Sequence, residues 1–294
     1  HDLNLDQVVD RLTAGRKEYG LEPFFYTLLH EQEQILYRQE VFQDLEKDNL
    51  LAAGTTFAAE VRAMRRHLSF AEKLDYRYEK KRWLLEGIDV YCRALSALAQ
   101  ELLDADIGSR GLAAIRDHVR YHVQSDSFRS LQAEAAELKQ ELSKIRYCLL
   151  IDGLTVKVRR YESEQDYTPE VEHTFAKFRH DAQQSYLVDI RSSANLNHVE
   201  AMALDCVARL FPEVFARIDE FCDDNREFAD AAIVAFDREV QFYVSYVKLI
   251  ASLRRAGLEH CYPSLAAAAE GAYNSEGYDL ALACKLVPEG GKVI

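Results

Sequence analysis

The chain has 294 residues, 48% hydrophobic and 29% charged, enough to bury a sizeable core as one large domain or two ordinary ones. Its 12 glycines and 5 prolines are about half the usual share, which excludes collagen-like, linker-like and turn-rich all-β chains and favours long helices. The formal net charge of −13, from 36 basic and 49 acidic residues, disfavours broad attachment to phosphate backbones, so any nucleic-acid contact must be local.

The opening His1-Asp2-Leu3-Asn4 lacks the basic and apolar regions of a signal peptide, and His1 at the place of an initiator Met suggests a trimmed chain. No apolar run reaches the roughly 18 to 20 residues of a membrane helix. Cys92, Cys148, Cys206, Cys222, Cys261 and Cys284 include no Cys-x-x-Cys pair, which points to reduced thiols and a cytoplasmic location.

Helices are expected at 4–15, 31–47 and 56–76. Four stretches then repeat apolar residues at steps of three and four, the signature of helices packed side by side. They run from Leu84 through Ile88, Tyr91, Leu95 and Leu98 to Leu102; from Phe128 through Leu131, Ala135, Leu138 and Leu142 to Ile145; from Val199 through Ala203 and Cys206 to Leu210; and from Ala229 through Ile233, Phe236, Val240, Tyr243, Val247 and Ile250 to Leu253. Gly108-Ser109 precedes a further helix near 110–123, Ser125-Asp126 is an N-cap, and Pro212 begins or kinks a helix. Asp224 with Glu227 resembles a capping box for the longest helix, which Arg254, Arg255 and Gly257 close.

One region breaks the helical period. Tyr147 to Ile151 is apolar, Asp152-Gly153 is a hairpin signal, and Leu154, Val156 and Val158 alternate with Thr155, Lys157 and Arg159. A β-hairpin follows, with a helix expected at 168–180 and a third strand through Tyr186, Val188 and Ile190. The tail from Tyr278 to Leu286 is expected to hold a strand.

Catalytic and phosphate-binding motifs are absent: no Gly-x-x-x-x-Gly-Lys-Ser/Thr, Gly-x-Gly-x-x-Gly, Gly-x-Ser-x-Gly or His-Glu-x-x-His occurs. Glu170 to His173 is the single Glu-x-x-His match, where a di-iron bundle needs two. His198-Val199-Glu200 is expected to cap and pack, and Asp237, Arg238 and Glu239 to form a solvated stripe with local ion pairs. Two basic clusters stand out. Residues 62–82 carry eight cations against Glu72, Asp75 and Glu79, and residues 144–160 carry Lys144, Arg146, Lys157, Arg159 and Arg160 against Asp152. Cations on a hairpin can neutralise phosphates without reading bases.

Several strings resemble, in order, the helical core of DNA mismatch-repair MutS-like proteins. They are Asp2-Leu3-Asn4-Leu5-Asp6-Gln7-Val8, Glu22-Pro23-Phe24-Phe25-Tyr26, Ile35-Leu36-Tyr37-Arg38-Gln39-Glu40-Val41, Ser109-Arg110-Gly111-Leu112, Asn197-His198-Val199-Glu200-Ala201, Phe236 to Tyr243, and Cys261-Tyr262-Pro263. The resemblance covers nearly the whole chain. It implies a core and lever at 1–143, a clamp-like insertion at 144–195, returning core helices at 196–256 and a connector at 257–294 toward an ATPase domain beyond Ile294.

The fold class expected is therefore mainly α, an elongated bundle of long helices with a small α/β insertion at its distal end. Lys144, Arg146, Lys157, Arg159 and Arg160 are the DNA-backbone candidates, toward double-stranded or branched DNA. The resemblance implies no cofactor in this chain, ATP and Mg only in the following domain, no catalysis by these residues, a homodimer of the full-length protein and no membrane partner. Mismatch recognition is not implied, because the family's recognition motif Phe-x-Glu belongs to an N-terminal domain and the match Phe211-Pro212-Glu213 lies at a helix break in the wrong region. The alternative is a helical protein–protein interaction scaffold with no DNA role.

Overall fold

A computed structural model describes residues 3–152, 155–163, 198–265, 273, 275 and 277–287. Among them the chain is mainly helical with one small antiparallel hairpin. In chain order the elements are α1 (Leu5–Thr13), α2 (Glu22–Tyr26), α3 (Gln32–Leu45), α4 (Asp48–Lys73), α5 (Arg77–Leu103), α6 (Arg110–Gln124), α7 (Asp126–Lys144), β1 (Tyr147–Asp152), β2 (Thr155–Arg160), α8 (His198–Leu210), α9 (Pro212–Asp224), α10 (Ala231–Arg255) and α11 (Leu280–Leu286). The helix expected at 168–180, the strand at 186–190 and the Glu170–His173 pair lie outside the described residues.

Local chemistry accounts for most boundaries. Ser109 Oγ accepts from Leu112 N at 3.3 Å and opens α6, and Ser125 Oγ accepts from Phe128 N at 3.2 Å and opens α7. Pro212 is the first residue of α9, where its missing N–H costs no helical bond. Four sequence expectations are corrected. Asp224 ends α9, and the cap of α10 is Asp230, whose carboxylate accepts from Ile233 N at 3.0 Å. The segment 280–286 is a helix, because Asp279 caps it through Leu282 N at 3.0 Å and Ala281, Ala283 and Cys284 bury against α1 and α10. On α8 the buried residues are Ala201, Val207 and Ala208, while Val199 is exposed. Asp237 is 0% exposed rather than solvated.

The described chain divides into two compact units. The first comprises residues 1–64, 90–129 and 228–294. Its centre is α10, where Ile233, Phe236, Val240, Phe242, Val244, Val247, Leu249, Ile250 and Leu253 are all buried, so that its second half is enclosed most of the way round. That enclosure explains the fate of the polar stripe. Arg238 folds back so that Nε donates to Tyr19 O at 2.8 Å, and its guanidinium sits 5.2 Å over the Phe24 ring. Gln241 Oε1 accepts from Arg16 Nε at 3.2 Å. Buried Asp44, at the end of α3, fixes the loop before α6 by accepting from Ser109 N at 2.7 Å and Gly108 N at 3.0 Å. Burial alone would raise the Asp44 pKa, but these amides and Lys47 outweigh it and hold the carboxyl below its usual range.

The second unit comprises residues 65–89 and 130–227. Leu85, Ile88, Leu131, Ala135, Leu138, Phe215, Ile218 and Phe221 are buried there, from α5, α7 and α9. Around them runs a polar stitching. Lys139 reaches Glu86 and Asp89 at 2.9 and 2.8 Å, Lys81 reaches Asp219 at 2.8 Å, and Arg217 reaches Glu137 at 2.8 Å. Most of these pairs are partly solvated, so they set register more than they add stability.

Candidate nucleic-acid interface

The hairpin belongs to the second unit. Its register pairs Tyr147 with Arg160, Cys148 with Arg159, Leu149 with Val158 and Leu150 with Lys157. Residues opposite one another in an antiparallel pair share a face, and successive residues alternate. Lys157 and Arg159 therefore share a face with Cys148 and Leu150, whereas Arg160 shares the other with Tyr147, Leu149 and Val158. One further backbone bond, from Tyr161 N to Arg146 O at 3.4 Å, carries the pairing on and adds Arg146 to the first face. A two-stranded hairpin is marginal alone, and here α8 packs against β2.

The five candidates thus separate. Arg146, Lys157 and Arg159 are exposed and form one row. Lys144, also exposed, is the last residue of α7, where a cation complements the negative end of the helix dipole as well as adding charge beside the hairpin. Arg160 is set apart. Its Nε donates to Leu210 O at 3.2 Å, and its guanidinium lies 4.9 Å over the Phe211 ring. It closes the C-terminal end of α8 and is engaged there, a role the sequence did not signal because Leu210 is 50 residues away. Glu162 lies 3.9 Å from Arg159 with both side chains exposed, a pair worth little.

This surface can neutralise phosphate. Among the described residues no group of three or more His, Cys, Asp or Glu is placed to hold a metal ion. His198 lies with its ring 6.4 Å from Tyr76. No helix among the described residues is long and apolar enough to cross a membrane.

Sequence reading missed a concave feature in the first unit. A cleft of about 500 Å³ is lined by Phe24, Tyr37, Arg38, Phe242 and Tyr243 among others. Among its lining rings Phe242 meets Phe24 at 5.8 Å and Tyr243 at 5.0 Å. Each ring belongs to a helix with its own period, and only the packing of α2 and α3 on α10 brings them together. At its rim Arg110 is held by Glu33 and Glu40.

Comparison with protein-family models, with curated proteins and with solved structures finds no match.

Proposed function

We propose that this chain is the helical core, lever and clamp of a MutS-like DNA-repair ATPase, that its hairpin holds DNA by the backbone, and that its helices pass movement to a nucleotide-binding domain outside the chain. The observation that carries the reading is the row of Arg146, Lys157 and Arg159 on one hairpin face, with Lys144 at its root, in a chain of net charge −13. A local cationic face against an acidic background directs phosphate to one place. The unbroken 26 and 27 residues of α4 and α5 supply the stiffness that passing on movement needs, since packed helices shift as bodies. ATP and Mg would be held by the following domain, and a homodimer would form in the full-length protein.

The test is duplex and branched DNA binding by the Lys157→Glu, Arg159→Glu double variant across about 50 to 200 mM salt. Weaker binding is expected, with the salt slope shallower by about 0.9 for each phosphate no longer neutralised. An unchanged affinity and slope would refute the hairpin as the DNA-binding face. Arg160→Ala is the internal contrast. It should loosen the end of α8 and leave the slope unaltered.

A helical scaffold for protein partners is the second reading. It is favoured by the apolar side chains one hairpin face leaves open, Tyr147, Leu149 and Val156 at 45, 46 and 37% exposure, since clustered exposed apolar surface marks interaction sites. A chain that binds no DNA at low salt would support it.

A further inference from the structure

The other basic cluster, residues 62–82, is not absorbed by the hairpin. The structure sorts its cations. Arg77 and Lys81 are engaged with Asp219, whereas Arg66, Lys73 and Lys80 stand exposed. Arg66, Phe70 and Lys73 follow the i, i+4, i+7 spacing that puts residues on one stripe of a helix, with neighbouring Cβ atoms about 5 to 6 Å apart. Glu72 lies two positions beyond Phe70, on the opposite side of α4. On α5, Lys80 and Trp83 are an i, i+3 pair.

Three rings are layered at this point. Trp83 stacks with Phe70 at 5.5 Å and 28°, and with His67 at 5.0 Å and 22°. Arg82 lies 5.5 Å from the Trp83 ring. Glu86, one turn along from Arg82, is paired with Lys139 at 2.9 Å. Phe70 rests on Trp83 yet is 41% exposed. The outcome is an aromatic platform with an open ring, flanked by the cations Arg66, Lys73, Lys80 and Arg82, all within the second unit.

We infer that this face of α4 and α5 is a docking surface for unpaired, single-stranded nucleic acid, with a base stacking on Phe70 and the flanking cations tracking the phosphates. Stacking needs a base whose flat side is free, which a duplex offers only at its ends, so the ring discriminates strand from duplex while the cations alone would not. Charge and ring chemistry together match this occupant. An acidic peptide would satisfy the cations and leave the ring unused. The inference goes beyond the duplex-backbone reading of the hairpin and does not rest on it.

The experiment titrates the 294-residue chain with a labelled oligothymidylate of about 20 nucleotides, a blunt duplex of equal length, and polyglutamate as competitor. Phe70→Ala and Phe70→Leu are expected to weaken strand binding roughly tenfold and to leave duplex binding within about twofold, while Phe70→Trp retains strand binding. Leu keeps apolar bulk over Trp83, so a shared loss by Ala and Leu separates stacking from folding. Lys73→Glu should lower the strand salt slope by about 0.7. The inference is overturned if the strand is not bound, if Phe70→Leu binds it as the parent does, if duplex and strand binding fall together, or if polyglutamate displaces the strand at matched charge.

Discussion

At Gly111 the chain has no room for one methyl group: an added Cβ would stand 2.7 Å from Val41 Cγ2 and 2.8 Å from Tyr37 Oη. Ala in place of Gly favours a helix by up to about 1 kcal/mol, but overpacking costs about 1 to 3 kcal/mol. Val41 is 4% exposed and cannot yield, so the clash wins. Gly111→Ala is expected to lower stability by roughly 1 kcal/mol or more, read as a lower urea midpoint; an equal or higher midpoint would show that α3 and α6 can part freely. The string Ser109-Arg110-Gly111-Leu112 was visible in the sequence as a helix start. The Ser109 cap on Leu112 N is equally local, but that Arg110 spans Glu33 and Glu40 and Gly111 admits α3 depended on partners more than 60 residues away.

For elements, the N-terminus of α10 shows how a cap becomes a junction. Asp230 N donates to Tyr91 Oη at 2.9 Å, so the Tyr91 hydroxyl is free to donate to His122 Nε2 at 3.2 Å. That requires His122 to be neutral with its proton on Nδ1, the nitrogen that faces Asp230 at 3.9 Å. His118 Nε2 lies 3.0 Å from Asp230 Oδ1. One carboxylate thus ties α5, α6 and α10. Asp230→Ala should cost about 1 to 2 kcal/mol, at the upper end of the usual cap value, while Asp230→Asn, which keeps an acceptor for Ile233 N, should cost less. Equal loss in the two would show that charge, not capping, dominates. Sequence pattern placed the long helix but put its start at Asp224, because Asp224 with Glu227 has the spacing of a cap and only packing selects Asp230.

Across the whole molecule the titrating groups define a stability plateau. Burial holds His122 below its ordinary pKa, with Asp230 opposing and His118 adding to the effect; burial and Arg254 likewise lower His260. A depressed histidine contributes stability above about pH 6.5, lost as pH falls through its folded value. For Glu46, burial acts upward but the bonds from Arg254 and Tyr262 prevail, and for Asp230 the bonds from His118 and Ile233 N prevail in the same way. With Asp44 these depressed carboxyls contribute above about pH 4 and lose that contribution below it. At the alkaline end burial pushes Tyr91, Tyr243 and Tyr246 up to about 12, so their contribution is full below about pH 10 and fades above it. Burial likewise pushes the Cys222 thiol up to about 11, so the urea midpoint should be flat only from about pH 7 to 8.5 and fall on acidification first below about 6.5, then more steeply below about 4. A midpoint unchanged on going from about pH 7.5 to about pH 5.5, a span that brackets the ordinary histidine pKa, would mean that neither histidine is held neutral.

The sequence by itself determined the helical class, three of the four apolar seams, the two strands of the hairpin and the places where cations collect, because periodicity, caps and turn residues act over a few positions. Of the five hairpin candidates it could name all and rank none. Tertiary structure decided that Arg160 serves Leu210 and Phe211, that Asp237 is buried while Arg238 reaches back to Tyr19, that 280–286 coils as a helix against α1 and α10, and that Phe70, Trp83 and His67 share one stack. The physical reason is common to these cases. A side chain's charge and shape are local properties, but whether it faces water, a carbonyl or another ring is settled by residues far along the chain.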